Sequence, residues 1–382
     1  MSPTPVTFST PNQPSSYSWE ATVEEVAARY GVPMEDVVRF DVNTAPLPPD
    51  LAQRVMADGR FPVSLSEYPP SDYRLLVEAA AARYGVGTDE IVVGAGADEI
   101  LDVIAKTFLA EGSRAIIPVP TYAMYRVLTE QRAAEAVPVP RLGAGEGYAL
   151  DLPAMRDAAR EAALLWLCSP NNPTALPEPE GVIETFLDML DADAAADGRP
   201  APIVVLDEAY AEFVGRSIAD LRFAHPNLIV IRTASKAYAL AGLRVGFAIA
   251  PSELVARMNP IRPPASISTV SAAVVTEALK DDDLAATNVA RVIAERERLT
   301  EALMEAGWSV GPSVTNFVLV DLESVDRAAD AAEALLQRGL IPRTFPDGHP
   351  LADHLRLTVR SAAENDRLVS AVQAFEARAD AS

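Results

Sequence analysis

Thr233-Ala234-Ser235-Lys236-Ala237-Tyr238 follows the apolar run Leu228 to Ile231 and stands shortly before Arg244. The chain holds three lysines, Lys106, Lys236 and Lys280, among 32 basic residues, so arginine supplies nearly all the positive charge. A lysine kept in such a chain suits a task that needs an amine able to lose its proton, as imine formation with a carbonyl does. Lys106 falls in a helical pattern and Lys280 abuts Asp281, Asp282 and Asp283, which reads as surface for both. That leaves Lys236, whose plain alternative is an ordinary loop lysine. A second run, Val204-Val205-Leu206-Asp207-Glu208-Ala209-Tyr210, carries an acid at the end of an apolar strand and a phenol three residues later. A carboxylate there needs a cationic or hydrogen-bonding partner. A protonated pyridine nitrogen would serve, and a helix N-cap by Asp207 is the structural alternative.

Three weaker segments accompany these. Gly94-Ala95-Gly96-Ala97-Asp98-Glu99 joins a strand at Ile91 to a helix, so its backbone N–H groups could hold a phosphate, or it is simply a tight turn. Glu99 stands where G-x-G-x-x-G needs its third glycine, and no G-x-x-x-x-G-K occurs, so the dinucleotide and P-loop patterns are absent. Cys168-Ser169-Pro170-Asn171-Asn172-Pro173-Thr174 sets two amides after an apolar strand, where either could donate to a phenolate oxygen or merely shape an Asn-Pro turn. Tyr122 could stack on an aromatic ligand or pack against its neighbours.

The elements that must position these groups are short apolar runs at Ile91 to Val93, Ala115 to Val119, Leu164 to Cys168, Ile203 to Leu206, Leu228 to Ile231 and Val245 to Ile249. Most alternate with helical patterns such as Glu99 to Leu109 and Gly181 to Leu190, which predicts a largely parallel sheet between helices. Open sheets of this class bind ligands at the C-terminal ends of their strands, where the polar segments fall. Upstream, Ala21 to Tyr30 and a stretch with Leu51 and Val55 read as helices. Residues 191 to 200 read as an acidic loop. After Pro251 come helical patterns at Val270 to Leu279 and Leu284 to Gly307, then strands at Asn316 to Val320 and His354 to Val359. Ser361-Ala362-Ala363-Glu364 is a capping box for a last helix with Leu368, Val372 and Phe375 on one face and a fraying tail. The expected division is an extended arm over 1–18 with order from about Trp19, an N-terminal segment over 19–50 packing with the small domain, a large domain over 51–255, and a small α+β domain over 256–382.

Composition bounds the chemistry. With 382 residues, 49% of them hydrophobic and 23% charged, the chain can bury a large core. A net charge of -22 repels phosphate backbones and anionic lipid, so neither nucleic acid nor a membrane surface is an expected partner. One cysteine, Cys168, and three histidines, His225, His349 and His354, argue against a disulfide or a zinc site, and no metal is expected. No signal-peptide pattern and no run near the roughly 20 apolar residues of a membrane span occur, which makes the cytoplasm the expected address.

In order along the chain, a phosphate cradle, a stacking ring, an amide, an acid, a phenol and a lysine occupy successive strand ends. Over about residues 38 to 375 the chain resembles the class I/II aminotransferases of the fold-type-I pyridoxal-phosphate enzymes, and among them it is most similar to the histidinol-phosphate aminotransferases and their relatives. The resemblance implies pyridoxal 5′-phosphate as cofactor. Lys236 would carry it and move the proton between substrate Cα and C4′, and Asp207 would pair with the pyridinium nitrogen. Asn172 and Tyr210 would bond the ring's 3′-oxygen while Tyr122 stacks on its face. The phosphate would meet the backbone of Ala97 and Asp98, together with Thr233, Ser235, Arg244 and Tyr68 of the partner subunit, which implies a homodimer with shared sites. Arg356, in Leu355-Arg356-Leu357-Thr358-Val359, would clamp the substrate's acidic group, with Arg343 as a second anion contact. Asn43, in Asn43-Thr44-Ala45-Pro46, would lie by the substrate, and Tyr17 or Trp19 would close over it.

The implied reaction takes an amino group from a small amine or amino acid, histidinol phosphate-like or aromatic, to a 2-oxo acid such as 2-oxoglutarate. Decarboxylation of an O-phosphorylated amino acid and a cofactor-binding sensor without turnover are the alternatives on the same fold. The chain departs from the pattern in three places. Ala175 follows Asn172-Pro173-Thr174 where Gly is usual, Ala45 replaces the second Asn of N-x-N-P, and Arg360 stands where relatives have Gly and is expected to point to solvent.

Overall fold

The computed structural model describes residues 15–17, 20–59 and 61–379. Most of the 1–18 arm, Trp19 and the C-terminal tail lie outside the described residues. The strands in chain order are β1 (Val38–Arg39), β2 (Ile91–Gly94), β3 (Arg114–Val119), β4 (Glu135–Pro140), β5 (Leu164–Cys168), β6 (Ile203–Asp207), β7 (Leu228–Thr233), β8 (Gly246–Ile249), β9 (Ser309–Val310), β10 (Phe317–Asp321), β11 (Leu340–Ile341) and β12 (His354–Thr358).

Seven of them form one sheet in the order β2-β8-β7-β6-β5-β3-β4, parallel except for β8, which runs antiparallel to both neighbours. Every residue of β5 and β7 is buried, as expected of strands covered on both faces. Side chains alternate between two cores. Val205, Ile229 and Ile231 join the helices Gly96–Phe108, Met124–Gln131 and Ser252–Met258 on one face, while Val204, Leu206, Leu228 and Val230 meet Leu152–Ala159 and Val182–Asp197 on the other. β4 carries no signal in the sequence reading because Pro138 and Pro140 break the pattern, and it lies at the sheet edge, where a residue without N–H is tolerated.

The acidic loop expected over 191–200 is instead helix: Val182–Asp197 runs unbroken to Gly198, which caps it at φ 62°. Alanine at 192, 194, 195 and 196 keeps helix propensity high, and Asp193 faces Arg156, whose Nε donates to it at 2.7 Å.

Three strands, β12-β10-β9, form an antiparallel sheet, and β1 pairs in parallel with β11. The first strand therefore joins elements some 300 residues away: Val38 opposes Leu340, and the Phe40 amide donates to Ile341 O at 2.9 Å. Thr358 N–H then donates to Phe40 O at 2.7 Å and Asn43 N–H to Thr358 Oγ1 at 2.9 Å. These bonds carry the chain over the C-terminal ends of β5 to β7. The helix Thr269–Lys280 packs on Asp50–Asp58 and Arg74–Tyr84, with Tyr73 Oη bonded to both the amide and the carbonyl of Ile267 at 2.9 Å. The last helix opens on the expected capping box, Ser361 N–H donating to Glu364 Oε2 at 3.0 Å, and buries Leu368 and Val372.

Candidate active site

The C-terminal ends of β5, β6 and β7 open on a cavity of about 810 Å³. Asp207 closes β6 in register with Cys168 and Ile231, so strand pairing alone fixes its depth. Its Oδ1 accepts from the Ala209 amide at 3.0 Å and its Oδ2 from Tyr125 Oη at 2.8 Å. Burial raises its pKa to about 6, against the pull of the Tyr125 hydrogen bond. Tyr125 is itself locked: it stacks on Trp166 with ring centroids 5.4 Å apart and planes 7° apart, and Trp166 Nε1 donates to Thr129 Oγ1 at 3.0 Å. Cys168 also lines the cavity, and burial, then the charge of Asp207, pushes its thiol up to about 12, which keeps it protonated.

Lys236 reaches the same cavity from the turn after β7. Its Nζ donates to Asn43 O at 3.1 Å and lies 5.6 Å from the centre of the Tyr210 ring. Desolvation, and after it the charge of Arg356, lowers its pKa to about 8, so a usable fraction is neutral near physiological pH. Asn43, held at φ 52°, donates through Nδ2 to Tyr210 Oη at 3.0 Å, and its carbonyl also accepts from Asn316 Nδ2 at 2.9 Å. The left-handed conformation is one asparagine tolerates better than most residues. Burial raises the pKa of Tyr210, which therefore stays a phenol.

Around the helix Gly96–Phe108 the backbone itself makes a recess. A Cβ on Gly96 would fall 2.4 Å from Arg244 Nη2, and one on Gly246 would fall 2.5 Å from the Gly96 carbonyl carbon. Glycine at both positions lets β8, the helix start and the Arg244 guanidinium close on one another. Arg244 pairs with Asp98 at 3.0 Å, and Tyr122 Oη donates to the other Asp98 oxygen at 3.0 Å. Glu99, the residue that spoils the dinucleotide pattern, accepts from the Ala95 amide at 2.7 Å and so fixes the turn. Ser235 and Thr233 complete this side, their hydroxyls 2.9 Å apart.

At the opposite end Arg356 from β12 is only 6% exposed. Its Nη1 donates to Asn172 Oδ1 at 2.6 Å and its Nη2 to the Asp41 carbonyl, while its Nε is buried without a partner among the described residues. Arg343 joins Arg356 through a backbone bridge with both N···O distances at 3.0 Å, and its guanidinium carbon lies 5.4 Å from the Tyr17 ring centre.

All but one of the site residues expected from the sequence line this cavity: Tyr17, Asn43, Ala97, Asp98, Tyr122, Asn172, Asp207, Tyr210, Thr233, Ser235, Lys236, Arg244, Arg343 and Arg356. Tyr68 does not; it is 89% exposed and outside its own chain's cavity. Asn171, the other amide of its segment, is structural, bonding Pro120 O, Thr174 and Thr121. The expectation that Arg360 points to solvent is corrected: its side chain is 13% exposed and donates to Glu364 at 2.9 Å and to Thr44 O at 3.3 Å, because the capping glutamate of the last helix draws it inward. Sequence reasoning missed Tyr125, in the first turn of the helix that follows Tyr122, and Asp41, paired with Arg39 at 2.6 Å. It also missed Glu20, which no motif marks.

The donor set fits pyridoxal phosphate. The glycine-lined recess with Arg244 suits a phosphate, the buried Asp207 carboxylate suits a cationic ring nitrogen, and Lys236 is an amine held toward its neutral form.

Residues 36–372 match the family described as aminotransferase class I and II. The chain is 34% identical over 361 residues to histidinol-phosphate aminotransferase from Roseiflexus castenholzii, covering 92% of this chain and 93% of that one. It is 36% identical over 338 residues to the protein of the same name from Thermococcus gammatolerans, covering 88% and 91%. Among solved structures it superposes on histidinol-phosphate aminotransferase from Sinorhizobium meliloti in complex with pyridoxal-5′-phosphate with a TM-score of 0.82 at 24% identity, over 95% and 96% of the two chains.

Proposed function

The chain belongs to the class I and II aminotransferases and is a pyridoxal-phosphate-dependent enzyme, and from that premise we propose that its donor is histidinol phosphate-like or aromatic and its acceptor 2-oxoglutarate. Bound pyridoxal phosphate supplies an electron sink for the carbanion left when Cα loses its proton. Lys236 Nζ carries the cofactor and takes that proton. Asp207, held by Tyr125 and the Ala209 amide, keeps the ring nitrogen protonated. Asn172 and Tyr210 orient the ring, Tyr122 covers its face, and Ala97, Asp98, Thr233, Ser235 and Arg244 hold the phosphate. Arg356 and Arg343 take the substrate's acid group, with Asn43 and Tyr17 beside it.

The observation that carries this reading is one cavity in which burial lowers a lysine to about 8 and raises an acid to about 6, opposite an arginine with an unmet buried N–H. The reading includes a homodimer in which Tyr68 enters the partner's phosphate site. The exposure of Tyr68, with Leu65 and Leu47 of the same chain also exposed, supports it. It also includes the division at 18, 50 and 255 into arm, N-terminal segment, large and small domains, and a cytoplasmic address. No helix among the described residues is long and apolar enough to cross a membrane.

The test is absorbance of the holoenzyme, without acceptor, after separate additions of L-histidinol phosphate, aromatic amino acids, glutamate and L-threonine phosphate. Conversion of the cofactor band by one of the first two, restored by 2-oxoglutarate, is the expected result. Lys236→Ala should abolish it, with turnover down about 10⁴-fold or more. Turnover unchanged in Lys236→Ala would overturn the assignment.

A further inference from the structure

Beside the acid-binding end of the cavity stands a carboxylate that the reaction does not need. Glu20, from the N-terminal segment, lies off the cavity wall behind Arg343. Its Oε1 accepts from the Thr344 amide at 2.8 Å and the Thr344 hydroxyl at 2.9 Å, and stands 3.6 Å from Arg343 Nη1. The two side chains are 18% and 14% exposed, so water screens the pair weakly. Glu20 also acts on Arg39, whose pKa is raised chiefly by its hydrogen bond to Asp41 and further by the charges of Asp41, Glu20 and Glu24.

Among the described residues, the guanidiniums of this end, Arg39, Arg343 and Arg356, face the carboxylates of Asp41 and Glu20, and Glu24 adds its charge at Arg39, so little positive charge is left over for a second negative charge on a substrate. A phosphate monoester carries close to two negative charges at neutral pH. To satisfy it, Arg343 would have to turn from Glu20, and the second charge would still face Glu20 across a poorly screened gap.

We propose that Glu20 is a positioning residue that sets the substrate class: it holds Arg343 toward the N-terminal segment and biases the pocket to amino donors whose acid group is a single carboxylate, against donors that present a phosphate dianion. The inference rests on the aminotransferase reading and narrows it. The same segment brings Tyr17 to within 6.3 Å of the Tyr122 ring, centre to centre, which gives an aromatic side group of the donor two rings to lie against.

The test compares L-histidine with L-histidinol phosphate, which share a side group and differ in the acid group, as ligands of the full-length holoenzyme without acceptor. Glu20→Gln keeps an acceptor for Thr344 and removes only the charge. It should tighten L-histidinol phosphate relative to L-histidine by about tenfold by calorimetry. The gain should appear in the dissociation constant, with the rate of cofactor conversion changed by less than about threefold. Because Glu20 acts through Arg343, the gain should vanish in an Arg343→Gln background. A ratio unmoved within about twofold, a gain that persists without Arg343, or a wild-type holoenzyme that binds neither ligand overturns the proposal. Failure of every amino donor to convert the cofactor band is a different result, and it would sink the aminotransferase reading itself.

Discussion

The two ends of the cavity are built on opposite principles. At the cofactor end each polar group is answered from within the protein: Asp207 by Tyr125 and the Ala209 amide, Tyr210 by Asn43, Lys236 by the Asn43 carbonyl. At the acid-binding end Arg356 keeps a buried Nε with no acceptor among the described residues. An unmet buried donor costs about 1–3 kcal/mol, and a carboxylate that meets it recovers that cost on binding. One end is set in its working geometry before any substrate arrives. The other is finished by the substrate, so chemistry and recognition fail separately when each end is damaged.

After Lys236→Ala, the largest effect expected at the cofactor end is that of Asp207→Asn, with kcat lower by about 10³-fold. Stability of the cofactor-free protein should move the other way. The folded-state pKa of Asp207 is raised to about 6 from an ordinary 3.8, so between those values the native state holds the extra proton. Stability contributed by this group therefore falls as pH rises through that window, and above it the wild type carries a costly buried charge. Asp207→Asn lacks the charge and should be more stable at pH 8 by about 1–3 kcal/mol, the difference closing near pH 4. Thermal melts of cofactor-stripped protein across that range check it. A lower melting temperature for the variant at pH 8 would mean that Tyr125 and the Ala209 amide already offset the burial of the charge.

This division also explains what could be read in advance. The cofactor end is contributed by contiguous runs, a strand and the few residues after it, so Asp207 with Tyr210, Asn172, and Ser235 with Lys236 each stood out as a local pattern beside an apolar strand. Six of the sheet's seven strands and a helix on each face are legible for the same reason, through periods of two and of about 3.6, while β4 is not. The acid-binding end depends on pairings across most of the chain: Glu20 with Thr344, Asn43 with Thr358, Arg356 with Asp41. No local pattern encodes such pairings, so Arg356 was found through resemblance and Glu20 was not found at all. The inward course of Arg360 is hidden in the sequence because its partner, Glu364, also caps the last helix, and one carboxylate serves both. The acidic stretch after Leu190 resembles a loop in its charge, yet its alanines and the Arg156 pair favour helix.

Arg356→Met tests the acid end and its reach into the other. It should weaken carboxylate substrates by about 10²-fold in kcat/KM, as expected for loss of a charge-assisted bidentate contact. Arg356 is also, after burial, the largest cause of the lowered Lys236 pKa, so its removal should raise that pKa from about 8 toward the ordinary 10.5. The neutral amine is the form that captures the cofactor's aldehyde. Stopped-flow uptake of pyridoxal phosphate by the cofactor-free protein should follow a pH midpoint near 8 in the wild type and a higher one in the variant. An unshifted midpoint would show that the two ends are electrostatically independent, a sharper separation than the charges imply.

The smallest effect expected comes from Tyr125→Phe. The ring keeps its stack on Trp166, and only the hydroxyl that donates to Asp207 Oδ2 is lost, leaving the Ala209 amide on Oδ1. Burial raises the Asp207 pKa and the Tyr125 hydrogen bond is the largest influence opposing it, so the variant's carboxyl should titrate above 6. A lost hydrogen bond to a charged group is worth about 1.5–3 kcal/mol, of which a part appears as a roughly tenfold lower kcat. The loss should be greater at pH 6 than at pH 8, because Asp207 acts in its ionised form and the acidic limb of the pH–rate profile should move to higher pH. A uniform loss across pH would mean that the hydroxyl serves the packing of the Tyr125 ring, and that the cofactor end is held by shape more than by charge.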